Sequence, residues 1–184
     1  PNMANFLVNQ MRERQIVGLS LAVAKGGEII AGKSYGFADA SGKFPITTDT
    51  VFQAGSISKS IAALGALRLV ESGRLSLDAD INASLRSWKV PGNQNTEEKQ
   101  ITLRQILSHR AGFTLHGFAG YPIEQPLPKL LQILDGIKPA NSPPLRERVP
   151  PDSRTIYSGG GYVVLQPIIT DVISKSFPEF MHDA

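Results

Sequence analysis

Thr50-Val51-Phe52-Gln53-Ala54-Gly55-Ser56-Ile57-Ser58-Lys59 runs directly into the apolar series Ile61-Ala62-Ala63-Leu64-Gly65-Ala66-Leu67. The stretch predicts a helix from Ser56 to about Ser72, closed by Gly73 as its C-cap. Ser56 and Lys59 then share one helical face, one turn apart, where the amine can take the serine's proton. A hydroxyl beside a base is what a serine acyl-transfer enzyme needs. The pattern alone is weak, because a chain with sixteen Ser and nine Lys is expected to show about one Ser-x-x-Lys by chance.

Two local rules oppose a lysine at position 59. Its helix face also carries Ala62, Ala63, Ala66 and Val70, a small and apolar set. Its ammonium falls in the first turn, where the helix dipole disfavours positive charge. Both effects push toward the neutral amine that a general base requires. Conflict with local rules is expected at functional sites, and the same dipole favours an alkoxide at Ser56. The plainer alternative makes Ser56 an N-cap and lets Lys59 reach past its neighbours to solvent. These residues alone leave both open.

Composition bounds the rest. A chain of 184 residues with 41% hydrophobic and 19% charged residues reads as one soluble globular domain or a piece of a larger one. No run reaches the roughly 18 apolar residues of a membrane helix. The net charge is +3, and Lys and Arg are scattered without interleaved aromatics, so no nucleic-acid partner is expected. The absence of Cys excludes disulfides, thiolate zinc sites and a cysteine nucleophile. His109, His116 and His182 lack metal-ligand spacing, so neither metal nor cofactor is expected. The chain begins at Pro1 with no leader and reads as a processed or trimmed product.

Upstream of the opening stretch, residues 3 to 14 predict a helix with Arg12 and Arg14 toward its C-terminal end. Leu19 to Val23 alternates, Lys25-Gly26-Gly27 turns, and Glu28 to Ala31 follows. That is a β-hairpin feeding an extended path through Phe37 and Asp39. Gly27 to Ser34 also fits the P-loop pattern G-x-x-x-x-G-K-[ST], but Ile29 and Ile30 favour extended backbone and Gly36 and Gly42 disfavour a following helix. The second strand of the hairpin is the preferred reading.

Downstream, Thr102 and Gln105 form a capping box for a short helix ending near His109 and Gly112, which makes His109 a C-terminal cation. Residues 120 to 155, rich in Pro, predict an irregular excursion around one helix, Leu127 to Ile137. Gly161 to Ser176 predicts an apolar helix that Pro167 kinks or breaks. Strands first and helices afterwards indicate an α+β fold. In Ile156-Tyr157-Ser158-Gly159-Gly160-Gly161-Tyr162, Tyr157 ends an extended segment and Ser158 begins a glycine turn into that helix. Alone this is a structural turn. Beside Ser56 and Lys59 it offers a phenol able to relay a proton.

In order, Thr50 to Lys59, Leu69-Val70-Glu71-Ser72-Gly73-Arg74-Leu75-Ser76-Leu77-Asp78, Ile101 to His109 and Tyr157-Ser158 resemble the serine β-lactamase and penicillin-binding-protein superfamily. The branch they are most similar to holds class C β-lactamases, D-Ala-D-Ala peptidases and esterases. The resemblance covers essentially the whole chain. It implies a β-lactamase/transpeptidase-like α+β fold, with the N-terminal helix and hairpin belonging to a central antiparallel sheet and a mostly helical region after them. Residues 1–184 would be the N-terminal part of one such domain, about 1–50 as sheet lobe and about 51–184 as helical lobe.

The resemblance implies a serine hydrolase acting through an acyl-enzyme on an ester, amide or β-lactam. Ser56 would be the nucleophile, Lys59 its base or electrostatic activator, Tyr157 the proton shuttle, and Ser158 and Gly159 substrate-binding. The Ser56 N–H would supply half of the oxyanion hole. It also implies a periplasmic or exported location. Two departures stand out. Gly159 occupies the place of the Asn in the family's Tyr-x-Asn, which tilts the reading toward an esterase-like or uncharacterised hydrolase. The Lys/His-x-Gly motif on a neighbouring strand is absent, so the chain is expected to be a fragment that exposes a sheet edge and an apolar face and needs a C-terminal half. The rival is a non-catalytic penicillin-recognising or interaction module that keeps the fold.

Overall fold

The structure is a computed structural model and describes residues 2–94, 96 and 99–184. The chain forms two compact units, Pro1–Ala54 and Gly55–Ala184.

The first unit opens with α1 (Met3–Glu13), whose N-cap Asn2 accepts the Ala4 N–H at 3.0 Å through its side chain. Strands β1 (Gly18–Lys25) and β2 (Glu28–Gly36) pair antiparallel, from Gly18 opposite Gly36 to Lys25 opposite Glu28. The turn between them is Gly26-Gly27, at φ 62° and 85°. A two-residue hairpin turn with positive φ at both central positions is readily made by two glycines. The ladder overturns the P-loop alternative. Lys33 pairs opposite Leu21 and Ser34 opposite Ser20 within β2, where a phosphate loop would instead open a helix.

The extended path stops short of its expected end. Phe37 still bridges Pro45, but Asp39 begins a turn and accepts the Ser41 N–H at 2.8 Å. Packing in this unit is thin. Met11 and Ile46 are its buried hydrophobics among the described residues, while Ile29 and Ile30 stay 73% and 60% exposed.

The second unit is helical: α2 (Ser58–Glu71), α3 (Ile81–Ser84), α4 (Leu103–Leu107), α5 (Leu130–Asp135), α6 (Gly159–Ile173) and α7 (Phe177–Asp183). A 3-10 turn, Gly55–Ile57, precedes α2, so the helix proper starts two residues later than the sequence predicts. Its end matches the expectation. Gly73, at φ 71°, donates to the Val70 carbonyl and Arg74 to the Leu69 carbonyl, the paired bonds of a Schellman stop. The Thr102–Gln105 capping box on α4 is also present, with both reciprocal bonds made.

Helix α5 is shorter than the predicted Leu127–Ile137. Pro128 precedes its N-cap Lys129, and Gly136 at φ 64° closes it. Helix α6 starts at Gly159 rather than Gly161 and runs through Pro167 without a break, ending at Ser174 in a left-handed cap. Its Val164, Leu165, Ile168 and Ile169 sit in the core with Leu103, Ile106, Phe113 and Leu145. A Cβ on Gly160 would lie 2.7 Å from Leu115 Cβ and from Leu145 Cδ1. The glycine run therefore lets residues 113–118 press against the start of α6.

Residues 146–156 run back along 109–114. Thr114 donates to Arg146, Arg148 to Gly112, Asp152 to Arg110 and Ile156 to His109, all backbone to backbone at 2.8–2.9 Å. Asp152 locks this ribbon. Its carboxylate accepts from Gln105 Nε2 at 2.7 Å and pairs with Lys99 at 3.0 Å and Arg110 at 3.1 Å. Those partners, Gln105 first, hold the Asp152 carboxyl down at about 2. The same Gln105 closes the α4 capping box, so a local helix signal also fixes the segment that delivers Tyr157. No helix among the described residues is long and apolar enough to cross a membrane.

Candidate active site

Ser56 lies in the 3-10 turn, so its side chain is not tied up as an N-cap. The residue at the cap of α2 is Ile57, and no side chain caps that end. The Ser56 hydroxyl is instead exposed and bonded twice. Lys59 Nζ donates to Ser56 Oγ at 3.2 Å, and Tyr157 Oη lies 2.9 Å from Oγ, with either oxygen able to donate. The structure thus brings together Ser56, Lys59 and Tyr157, the last from 101 residues away.

Lys59 is half-buried, on a face where Ala66 is fully covered and Ala62, Ala63 and Val70 partly so. Its Nζ stands 5.2 Å from the Tyr157 ring centroid and 5.8 Å from that of Tyr162. The two phenols are driven apart. The Lys59 ammonium, and after it the Ser56 hydroxyl, stabilise the phenolate and lower the Tyr157 pKa. Burial, and after it Tyr157, raises that of Tyr162, whose hydroxyl donates to the Leu107 carbonyl at 2.9 Å. The two environments act in opposite senses: ionisation is favoured at Tyr157, while Tyr162 stays a hydrogen-bond donor.

The three groups open onto a cleft of about 760 Å³ whose walls include Ala62, Phe118, Gly159, Val163, Gln166 and Phe177. Gly159 borders it, with no side chain to offer a ligand. A Cβ there would come within 3.0 Å of the His116 carbonyl. The substrate-binding role expected of Ser158 does not fit its surroundings. Ser158 is 3% exposed, caps α6 by accepting the Gly161 N–H at 2.9 Å, and donates its hydroxyl to the Thr114 carbonyl at 2.7 Å.

His109 corrects a second expectation. It is not a helix-end cation. Its Nδ1 accepts the Ser158 N–H at 3.2 Å, which only an unprotonated nitrogen can do. Burial first, and Lys59 second, lower its pKa. With His116 it flanks the Tyr157 ring, at centroid distances of 4.4 Å and 4.9 Å. Neither histidine had a local sequence signal for this place, since each reaches Tyr157 only through the ribbon. Among the described residues, no group of His, Cys, Asp and Glu is arranged to hold a metal ion.

Comparison with known proteins adds an independent line. A family model described as Beta-lactamase matches residues 3–184. The chain is 37% identical over 102 residues, 55% of its length, to Esterase EstB from Burkholderia gladioli, covering 26% of that protein. It is 28% identical over 172 residues, 92% of its length, to Penicillin-binding protein 4* from Bacillus subtilis, covering 35% of that protein. It therefore spans about a quarter to a third of these curated relatives.

Among solved structures, a D-amino acid amidase from Ochrobactrum anthropi superposes with TM-score 0.78 at 26% identity, over 97% of this chain and 46% of that one. The octameric penicillin-binding protein homologue from Pyrococcus abyssi does so with TM-score 0.72 at 26% identity, over 98% and 40%. The α+β arrangement seen here is thus β-lactamase/transpeptidase-like, and from residue 3 to residue 184 the chain belongs to the Beta-lactamase family.

Proposed function

We propose that this chain carries the nucleophile and proton-transfer groups of a serine hydrolase that works through an acyl-enzyme. The observation that carries the reading is the 2.9 Å and 3.2 Å convergence of Tyr157 Oη and Lys59 Nζ on the Ser56 hydroxyl oxygen. Ser56 Oγ attacks the substrate carbonyl carbon, and its proton passes to the Tyr157 phenolate. Lys59 acts here not as the neutral base its helix face suggested but as the donor that holds the phenolate and steadies charge at Oγ. The Ser56 N–H faces the oxygen of the tetrahedral intermediate. When the bond to the leaving group breaks, the Tyr157 proton goes to that group. Water then attacks the Ser56 ester, giving its proton to Tyr157, and as the acid departs that proton passes from Tyr157 to the leaving Oγ, restoring the serine hydroxyl and the phenolate.

The substrate class favoured is a carboxylic ester. Gly159 offers no side-chain amide to a peptide or lactam, Phe118, Val163 and Phe177 supply apolar lining, and the relative at 37% identity is an esterase. The same glycine supports the rival of a binding module without turnover. Burst kinetics with p-nitrophenyl esters, followed alongside a penicillin and a D-amino acid amide, separate these readings. An acyl-enzyme burst followed by ester turnover is expected. Stoichiometric binding with no covalent adduct would establish the module instead.

A further inference from the structure

His109 holds a backbone conformation that a residue with a side chain rarely takes, φ 58°, at a bend where glycine would be easier. That conformation lets one residue grip the chain on both sides of Tyr157. The His109 carbonyl accepts the Ile156 N–H at 2.8 Å, and its Nδ1 accepts the Ser158 N–H at 3.2 Å. The first bond fixes the residue entering Tyr157. The second fixes the peptide leaving it, because the Ser158 nitrogen and the Tyr157 carbonyl share one rigid plane. Between these anchors the imidazole lies against the phenol ring, 4.4 Å between centroids.

We propose that His109 is a positioning residue for Tyr157, aiming the phenol at Ser56 through the bracket of its own carbonyl and ring nitrogen. The proposal rests on the acyl-enzyme reading above. It also makes acylation sensitive to protonation of a residue that does not touch Ser56. Only an imidazole unprotonated at Nδ1 completes the bracket. A second proton would set N–H against N–H and release the Ser158 peptide. The groups facing the ring do not invite that proton. They are the Lys59 ammonium and the rings of Tyr157 and Tyr162, while the neighbouring Arg110 is engaged with Asp152. Burial and Lys59 both work against the imidazolium, so the bracket holds at neutral pH and opens as the solution turns acid.

The test compares His109→Asn with His109→Leu in the full-length protein. Asparagine tolerates positive φ and carries an acceptor oxygen near the place of Nδ1, but it does not titrate. Leucine keeps apolar bulk and loses the acceptor. The measured quantity is the rate of fluorophosphonate labelling at Ser56 between pH 4.5 and 8, with circular dichroism to check folding. Leucine should slow labelling by roughly tenfold to a hundredfold, the cost of a misplaced reacting group. Asparagine should restore it to within about threefold and remove the part of the acid-side fall that follows protonation of the imidazole, leaving the part that follows the Tyr157 phenolate. Should His109→Leu not fold, the acid-side profile of His109→Asn against the parent decides alone. Labelling by the leucine variant at the parent's rate, or an acid limb unchanged in the asparagine variant, would overturn the proposal while leaving the acyl-enzyme intact. A parent protein that never labels at Ser56 would remove both.

Discussion

The two units of this chain are held by different physics. In residues 2–54 the elements are written locally: an Asn cap, a glycine pair at the hairpin turn, alternating strands. The core beneath them amounts to Met11 and Ile46, and the strand side chains Ile29 and Ile30 remain open. In residues 55–184 local signals are weaker and packing is dense. Helix α6 threads a core in which Ala66, Leu85, Leu134, Leu145, Val164 and Leu165 are fully covered. Ser56, Lys59 and Tyr157 all belong to the second unit. A phenol delivered from 101 residues away to within 2.9 Å of a hydroxyl requires a framework set by packing rather than by turns.

Substitutions should divide along that line. The largest stability loss is expected for Phe113→Ala, which empties a site 2% exposed against Gly161 at the start of α6. About 3–5 kcal/mol should disappear in urea unfolding. A loss below about 1 kcal/mol would mean the core is far looser than its burial indicates. Gly160→Ala comes next, because the added methyl meets Leu115 and Leu145 at 2.7 Å. Overpacking of about 1–3 kcal/mol is expected, again by denaturant titration. If the variant proved more stable, residues 113–118 would not press on α6 as described.

Asp152→Asn should cost about 1 kcal/mol, kept small by solvent screening of a carboxylate 36% exposed. Its folded pKa, about 2, lies below the ordinary 3.8. The contribution is therefore complete above about pH 4 and fades as pH falls toward 2. The variant's stability curve should converge on the parent's in that window, and a constant gap down to pH 2 would place the effect in packing. Smallest is Ile30→Ala in the first unit, where a side chain 60% exposed should shift stability by no more than about 0.5 kcal/mol. A larger loss would show that the open strand face is covered in solution and would dissolve the contrast between the units.

What the sequence reveals divides by distance along the chain rather than by unit. Helix α1, the hairpin, the Gly73 stop and the Thr102–Gln105 box are legible because each depends on residues a few positions apart. The Ser56–Lys59 pair is legible for that reason too. The 3-10 turn that frees Ser56 from a capping role is not, since propensity does not distinguish it from the first turn of a helix. The predicted helix over Leu127–Ile137 ignored Pro128 and Gly136, which trim it from both ends. His109 reads as a helix-end cation until the Ser158 N–H arrives from 49 residues away. Ser158 reads locally as the start of the turn into α6, which it caps, whereas the binding role implied by the resemblance fails because residues 114 and 115 close over it. Unlike the local misreadings of the 3-10 turn and of α5, the errors at His109 and Ser158 each concern a contact between segments distant in sequence.

The central claim is that Ser56, Lys59 and Tyr157 act as one acylating unit. Intact mass spectrometry with peptide mapping after fluorophosphonate treatment tests it most directly, on the parent, Ser56→Ala and Tyr157→Phe. A single adduct mapping to Ser56 is expected, absent in Ser56→Ala and formed roughly 10²- to 10⁴-fold more slowly in Tyr157→Phe. An adduct that persists in Ser56→Ala, or one that forms in Tyr157→Phe at the parent's rate, would contradict the account.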